Sequence, residues 1–238
     1  AILVSMITME DHSILPASGK VPPLCPVFGE CGGCQYQDIP YEDELRLKEE
    51  RIKGLLTAAF SLPNEVFDPM VPSPKHYHYR SRLDMTLRQT RQSGVVMGFS
   101  STGRSHVVET GSCAIAMENI SAFLPELKRQ AEAKLTPKYR NANLTVKTGG
   151  SGQVFWGGMG RGSLRMKEED YLWTEVEGKR IFYSLDTFFQ ANLSILPAVL
   201  RKIKGLKLID RATIFYDLYG GVGLFGICLA DEAAQVIL

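Results

Sequence analysis

The sequence lacks the features of a secreted, membrane-spanning or strongly charged protein. No apolar run approaches the roughly 20 residues that a helix needs to cross a bilayer, and the chain starts without the basic segment and cleavage site of a signal peptide. The formal net charge of +1 gives no global attraction to a polyanion. With 45% hydrophobic residues, the composition is typical of a globular protein of one or two domains. We therefore predict a cytoplasmic monomer with no membrane partner.

The small net charge conceals a basic stretch. Between Lys75 and Arg104, six lysines and arginines stand against one acidic residue, Asp84, which gives a local balance of +5. Such a patch indicates an anionic partner at one face. A solvated basic strand surface would give the same pattern, and charge alone does not separate the two interpretations. The six cations are Lys75, Arg80, Arg82, Arg88, Arg91 and Arg104.

Cysteine is scarce, but its distribution is informative. Three of the five cysteines lie within ten residues, as Cys25-x5-Cys31-x2-Cys34, and Cys113 follows far downstream. An odd, clustered set argues against a secreted disulfide scaffold. Four thiolates can bind a [4Fe–4S] cluster or a structural zinc ion, and three close ligands plus a distant one favour the iron–sulfur cluster. Zinc, or reduced buried cysteines without metal, remain alternatives. Cys228, among apolar residues, is predicted to be a buried thiol.

Hydrophobic periodicity gives a coarse secondary structure. Apolar residues recur at helical spacing over Tyr41–Phe60, which predicts an amphipathic helix. Alternating residues between 76 and 113 predict antiparallel strands with a basic face. Further helices are predicted over 118–135 and 187–202, and further strands over 144–148, 154–156 and 181–184. The chain then predicts a strand over 213–219, a glycine loop, a helix to residue 230 and a strand from 235.

The glycine loop matches the pattern Gly221-x-Gly223-x-x-Gly226. This pattern alone is a weak indication of dinucleotide binding. In dinucleotide sites the glycines follow an apolar strand directly, because a pyrophosphate must approach the helix N-terminus. Here Asp217 stands beside the loop, which favours S-adenosylmethionine, a cofactor without phosphate. An ordinary tight strand-to-helix turn is the alternative.

Five segments together resemble the RNA (uracil-5-)-methyltransferases that carry a [4Fe–4S] cluster, in particular the 23S rRNA type. They occur in the family's order and at similar spacing, from about residue 10 to the end. The segments are the 25–34 cysteine motif, His-Tyr-Arg-Ser-Arg at 78–82, Cys113, Phe-Phe-Gln-Ala-Asn at 188–192, and Asp-Leu-Tyr-Gly-Gly-Val-Gly at 217–223.

The resemblance implies an α+β fold followed by an α/β fold. We expect a remnant of an N-terminal β-barrel of the TRAM or OB type over 1–20. A β-rich central domain with the [4Fe–4S] loop and the RNA-binding strands is expected over 21–186, and its helix at 41–60 is expected to pack on the catalytic domain. The start of a Rossmann-like class I methyltransferase domain is expected over 187–238.

The resemblance also implies roles for individual residues. Gly220 and Leu224 depart from the family, which usually has cysteine and often asparagine at these positions, so the cofactor pocket is expected to be lined differently. Outside the family context, Gln190 would read as a polar helix residue and Tyr219 as a buried strand aromatic. The implied cluster ligands are Cys25, Cys31, Cys34 and Cys113; the S-adenosylmethionine contacts are Gln190 and Tyr219, with Asp217, Gly221 and Gly223 shaping the pocket; the RNA contacts are Lys75, Arg80 and Arg82.

In the family a cysteine thiolate adds to uracil C6, and C5 then attacks the cofactor's methyl group. A general base removes the C5 proton, and the target base is flipped out of its stack. The resemblance places both the nucleophile and the base in a C-terminal third outside this chain, so the chain is expected to be a fragment that cannot methylate alone. Ribosomal RNA is the expected substrate. Rival interpretations are a non-catalytic iron–sulfur RNA-binding module and an NAD-dependent oxidoreductase, the latter explaining neither the cysteine spacing nor the basic strands.

Overall fold

The structure is a computed structural model that describes residues 19–90, 94–135, 141–160 and 162–238. The chain divides into two compact units. The first comprises Ala1–Phe28 and Cys34–Pro72, described from residue 19 onward, and the second comprises Gly29–Gly33 and Ser73–Leu238. The predicted barrel remnant over 1–20 therefore lies almost wholly outside the described residues. The predicted domain boundaries stay predictions.

The first unit is built on a single long helix. Helix α1 spans Tyr41–Phe60, which confirms the predicted bounds. Ion pairs one turn apart connect Glu49 to Lys53 at 2.6 Å and Arg46 to Glu50 at 3.1 Å, the spacing at which helical side chains meet. The helix ends at Phe60 and is capped by Ser61, which has a left-handed backbone and donates its N–H to the Thr57 carbonyl at 2.8 Å.

The second unit begins with a five-stranded antiparallel sheet in the order β3-β2-β1-β4-β5. One sheet face carries buried apolar residues of β1 and β4 and packs with helix α2, whose Ile120, Leu124 and Leu127 are fully buried. Because alternate residues of a strand point to opposite faces, Arg82 and Asp84 of β1 lie on the other face. The bounds are β1 Arg82–Thr90, β2 Gly94–Ser100, β3 Val107–Glu109, α2 Glu118–Lys134, β4 Asn141–Thr148 and β5 Val154–Gly157.

A β-hairpin follows, formed by β6 Leu172–Val176 and β7 Lys179–Tyr183. The sequence pattern predicts a strand only over 181–184, so strand β6 is not predicted. Its turn places Glu177 and Gly178 at φ of 48° and 76°, as two-residue hairpin turns require.

The predicted helix over 187–202 is wrong over its first half, because helix α3 spans only Leu196–Gly205. Two interactions hold the preceding residues in an irregular conformation. The Ser81 N–H donates to the Ala191 carbonyl at 2.8 Å, and Asn192 Oδ1 accepts the Ser194 N–H at 3.1 Å. Local side-chain bonds of this kind compete with helix formation, and Pro197 then suits the first helical turn.

The chain closes with a βαβ unit, as predicted. Strand β8 (Ile214–Tyr216) pairs in parallel with β9 (Gln235–Ile237), and helix α4 (Leu224–Leu229) connects them. Strand β8 is shorter than the predicted 213–219. A second hydrophobic core joins the hairpin, α3 and α4. Within the described part of the chain, no helix is long and apolar enough to span a membrane.

Candidate cofactor and nucleic-acid site

The glycine loop after β8 is organised by one carboxylate. Asp217 Oδ2 accepts the backbone N–H of Gly226 at 2.9 Å, and the Asp217 carbonyl accepts the Gly220 N–H at 3.2 Å. Gly226 is the third residue of α4, where backbone N–H groups have no partner within the helix. Asp217 therefore caps the helix from the strand end, and its predicted organising role is consistent with this geometry.

Two further features of the loop bear on the predicted cofactor contacts. Tyr219 is fully exposed and has a φ of 60°, so it is a loop residue and not a buried strand aromatic. Gly221 and Gly223 have φ of 60° and 76°, the left-handed region that glycine adopts without strain. The loop thus exposes an aromatic ring to solvent beside a left-handed glycine turn.

The two departures from the family pattern have physical reasons here. A Cβ at Gly220 would lie 2.9 Å from the Asp217 carboxylate, closer than side-chain carbons approach, so the capping carboxylate excludes a larger residue. Leu224 is buried at 5% exposure within the second core. Its position is therefore used for packing.

The segment that carries Gln190 is held against the hairpin and the sheet. Phe189 is buried and stacks on the Tyr183 ring at a centroid distance of 4.3 Å, whereas its neighbour Phe188 is 70% exposed. The Ser81 hydroxyl donates to the Ala191 carbonyl at 3.1 Å. Gln190 is half-buried, and among the described residues no hydrogen bond joins it to the glycine loop.

Lys147 supports this segment from β4. Its ammonium donates to the Ser184 carbonyl at 2.9 Å and to the Thr187 carbonyl, and the residue is only 2% exposed. Burial, aided by the charge of Arg82 and opposed by Asp84 and Asp186, lowers the pKa of Lys147 to about 8. Sequence reasoning missed this residue, because a lysine within a strand pattern gives no sign of burial.

The His78–Arg82 motif leads into β1 and is fixed by the chain segment after Cys113. The Arg80 N–H donates to the Ile115 carbonyl at 2.8 Å, and the Met117 N–H donates to the Arg80 carbonyl at 2.9 Å. His78 Nδ1 donates to the Ala116 carbonyl at 3.1 Å. The Cys113 region and the start of the basic strand therefore form one hydrogen-bonded structure.

The predicted RNA contacts differ in their surroundings. Lys75 is exposed, and Arg80 Nε donates to the Arg82 carbonyl at 2.9 Å. The Arg82 guanidinium is engaged by Asp84, with its Nη2 donating to Oδ1 at 2.7 Å. Asp84 is a second residue that sequence reasoning did not single out as functional; its position two residues after Arg82 on a strand was the available signal.

The predicted cluster ligands are distributed over both units. Cys25 and Cys34 belong to the first unit, and Cys31 and Cys113 to the second. Cys113 is buried, and the other three are half-buried. Among the described residues, no group of three or more histidine, cysteine, aspartate or glutamate side chains is arranged to hold a metal ion. Four cysteine thiols are a suitable donor set for a [4Fe–4S] cluster.

Within the second unit, the loop that carries Cys31 is bound to the turn between β2 and β3. The Gly32 N–H donates to the Ser100 carbonyl at 3.0 Å, and the Thr102 N–H donates to the Glu30 carbonyl at 2.9 Å. A Cβ at Gly32 would lie 3.1 Å from the Ser100 carbonyl oxygen, a tight contact that explains the glycine. Cys228 is buried as predicted, and its burial raises the thiol pKa.

Comparison with known proteins finds RNA methyltransferases that are similar to this chain. The chain is 34% identical over 271 residues to an uncharacterised RNA methyltransferase of Clostridium tetani, covering 92% of this chain and 59% of the relative. A similar protein of Thermosynechococcus vestitus is 26% identical, with 94% of this chain and 60% of the relative covered. The chain thus spans about three fifths of the length of these relatives. No family model matches the chain.

Two tRNA-modifying enzymes are also similar. The tRNA (uracil(54)-C(5))-methyltransferase of Schizosaccharomyces pombe is 24% identical over 90% of this chain and 42% of its own length. The crystal structure of the Pyrococcus abyssi tRNA (uracil-54, C5)-methyltransferase, in complex with S-adenosyl-L-homocysteine, matches with a TM-score of 0.60 at 20% identity. This match covers 84% of this chain and 56% of the other. The fold is therefore a mixed α/β fold similar to that of this enzyme.

Proposed function

We propose that this chain is part of an S-adenosylmethionine-dependent RNA methyltransferase that methylates uracil at C5. The observation that carries the proposal is the 34% identity to an RNA methyltransferase over 92% of the chain. The glycine loop capped by Asp217 and the basic entry to β1 supply the two kinds of surface that such an enzyme requires, one for the cofactor and one for RNA.

In this proposal the glycine loop and the 188–192 segment bind S-adenosylmethionine, the methyl donor. The exposed Tyr219 ring offers an apolar contact, and the amide of Gln190 offers a hydrogen bond. Asp217, whose carboxylate is occupied by the Gly226 N–H at 2.9 Å, shapes the loop rather than contacting the ligand. Gly221, at which a Cβ would meet no atom within 4 Å, keeps the loop free of a side chain where the cofactor would approach, and Gly223 supplies a left-handed backbone turn with a φ of 76°.

The proposal also places the catalytic cysteine outside the five cysteines of this chain. Cys228 is 2% exposed, and its raised thiol pKa, due first to burial, leaves little of the nucleophilic thiolate. The other four are proposed cluster ligands. The general base is likewise proposed to lie elsewhere in the full protein.

Lys75, Arg80 and Arg82 are proposed to contact the RNA. We favour ribosomal RNA on the resemblance of the cysteine motif to the 23S rRNA type. Transfer RNA is the alternative, since the Schizosaccharomyces pombe relative is named as a tRNA (uracil(54)-C(5))-methyltransferase. Transcripts of both kinds, incubated with the full-length protein and S-adenosylmethionine, distinguish the two through the position of 5-methyluridine found by mass spectrometry.

Cys25, Cys31, Cys34 and Cys113 are proposed to bind a [4Fe–4S] cluster. Support comes from their number and spacing, since four cysteine thiolates are the usual ligand set of a [4Fe–4S] cluster. Protein purified without oxygen should contain iron and acid-labile sulfide in equal amounts, and Cys113→Ser should lose both. Zinc in place of iron would favour the structural-zinc alternative, and absence of any metal would overturn the proposal.

Cofactor binding tests the function most directly. Equilibrium dialysis with labelled S-adenosylmethionine should show saturable binding that S-adenosylhomocysteine displaces and NADH does not. Tight NADH binding would favour an oxidoreductase instead. RNA binding without any methyl transfer by the full-length protein would favour a non-catalytic RNA-binding module.

A further inference from the structure

The polar face of strand β1 carries Arg82, and one edge of the Arg82 guanidinium is already bound to Asp84. Arg82 Nε lies 3.0 and 2.9 Å from the two Asp84 carboxylate oxygens, and Arg82 Nη2 lies 2.7 Å from Oδ1. Such a paired arrangement, with two N–H groups on one carboxylate, is the geometry with which arginine also binds phosphate. We propose that Asp84 is a specificity-determining residue that prevents Arg82 from binding the phosphate backbone of RNA. The inference rests on the proposed RNA-binding function.

The Asp84 carboxylate is held beside Arg82 by a residue of the neighbouring strand. The Thr145 hydroxyl, from the neighbouring strand β4, donates to Asp84 Oδ1 at 3.1 Å, and the two residues are paired across the strands. Partial burial acts to raise the pKa of Asp84, but the hydrogen bonds and charge of Arg82, together with Thr145 and Arg80, outweigh it and lower this pKa. The carboxylate therefore stays charged at neutral pH and keeps its position.

The arrangement has a direct consequence for nucleic-acid binding. A phosphate that binds the Nε–Nη2 edge of Arg82 must displace Asp84, and a phosphate that approaches Nη1 lies beside the negative charge of Asp84. Nη1 takes no part in the bonds to Asp84, so Arg82 can still donate to a neutral acceptor such as a base or a ribose hydroxyl. Phosphate contacts position a protein without reading sequence, whereas contacts to bases specify. Asp84 thus shifts Arg82 from the first kind of contact to the second.

Among the described residues, Asp84 forms an ion pair with Arg82 but not with the neighbouring cations Arg80 and Lys75. The Arg80 guanidinium donates through Nε to the Arg82 carbonyl at 2.9 Å, and Lys75 is exposed. These two residues can supply the non-specific attraction. Asp84 therefore removes one phosphate contact from a surface that otherwise keeps its positive charge.

The test compares Asp84→Asn with wild type in binding two single-stranded RNAs of equal length, one rich in uridine and one without uridine. Glu109→Gln is the matched control, because Glu109 is also a strand carboxylate in an ion pair, with Lys128 at 2.5 Å. Dissociation constants are measured by fluorescence anisotropy between 50 and 300 mM salt. Circular dichroism and denaturant unfolding verify that each variant is folded.

Asp84→Asn should bind both RNAs several-fold more tightly at low salt and lose part of its preference for the uridine-rich RNA. Its salt dependence should steepen by about 0.7 in log–log slope, the value for one added phosphate contact on a single strand. In an Arg82→Gln background the same change should have little effect, since the two residues act as a unit. Glu109→Gln should leave both the slope and the preference unchanged.

Four results would overturn the inference. Equal binding by wild type and Asp84→Asn would do so while leaving RNA binding, and hence the proposed function, in place. An equal gain from Glu109→Gln, or a gain that persists without Arg82, would reduce the effect to general charge. If neither wild type nor variant binds either RNA, the inference and the proposed RNA-binding function fail together.

Discussion

The Asp217 carboxylate caps helix α4 by accepting the Gly226 N–H at 2.9 Å, nine residues further along the chain. The same residue is anchored to β9, since its own N–H donates to the Ile237 carbonyl at 2.9 Å. Through its backbone and its side chain, one residue thereby links strand β9, the loop and helix α4 of the βαβ unit. The loop that holds Tyr219 should depend on it.

Asp217→Ala should therefore destabilise the protein and weaken cofactor binding together. Loss of a capping carboxylate costs about 1 kcal/mol of unfolding free energy, measurable by urea denaturation. Affinity for S-adenosylmethionine should fall because the loop loses its anchor. Asp210→Ala is the control: Asp210 Oδ1 accepts bonds from Ala212 and Thr213 in the turn before β8, so stability should fall while affinity stays unchanged. Equal affinity in wild type and Asp217→Ala would contradict this role.

Substitution of Gly220 tests whether the Asp217 carboxylate is fixed in its position. A Cβ at this position would lie 2.9 Å from the Asp217 carboxylate oxygen. Gly220→Ala should therefore cost about 1–3 kcal/mol, the range for inserting a carbon into a packed site. Gly205→Ala, at the end of α3 where a Cβ meets no atom within 4 Å, should change stability little. Thermal unfolding of both variants measures the difference, and a stable Gly220→Ala protein would show that Asp217 moves freely.

The sequence predicted those parts of the fold that local patterns encode. Tyr41–Phe60 has the helical spacing and the i,i+4 charge pairs of a helix, and its bounds were predicted to the residue. The βαβ unit was predicted because a glycine loop between two apolar strands has few other solutions. Strand β6 was missed because Leu172–Val176 gains its identity from pairing with β7, and such pairing is not local.

The error over 187–195 has the same origin. Helical propensity there loses to the hydrogen bonds of Ser81, which lies more than a hundred residues earlier and bonds to the Ala191 carbonyl at 2.8 Å. At the candidate site, residue types in motifs could be predicted, but their partners could not. The contacts of Asp84 with Thr145 and of Lys147 with Ser184 depend on strand register, which a single sequence does not reveal.

Phe188 and Phe189 provide a matched pair of adjacent substitutions. Phe189 is 5% exposed and stacked on Tyr183, whereas Phe188 is 70% exposed. Phe189→Ala should cost about 3–5 kcal/mol, as truncation of a buried phenylalanine does, while Phe188→Ala should stay within about 0.5 kcal/mol of wild type, as surface changes do. Guanidinium chloride denaturation measures both. Similar losses from the two changes would show that the segment packs differently.

Lys147 should make stability depend on pH in the alkaline range. Its pKa is lowered to about 8 in the folded protein, first by burial, from a usual value of 10.5. Between these two values the unfolded chain binds the proton and the folded chain does not, so the free energy of unfolding should rise with pH. The gain in stability that comes from the lowered pKa of Lys147 is complete above the pKa of the unfolded chain. It is lost as the pH falls through the pKa of the folded protein. The unfolding free energies of wild type and Lys147→Met are measured from pH 7 to 10. Their difference isolates the effect of Lys147, because the other titrating groups are common to both proteins.

Relative to Lys147→Met, the wild type should gain stability steadily from about pH 8 upward, the folded pKa of this amine. Lys147→Met also leaves the Ser184 and Thr187 carbonyls without their donor, which should cost about 1–3 kcal/mol at any pH. Lys147→Arg should restore part of this loss, since a guanidinium can donate to both carbonyls, but it should not restore the pH dependence, because arginine does not titrate in this range. A stability difference between wild type and Lys147→Met that is constant with pH would show that the amine is solvated, and that the segment leading to Gln190 does not rest on a buried cation.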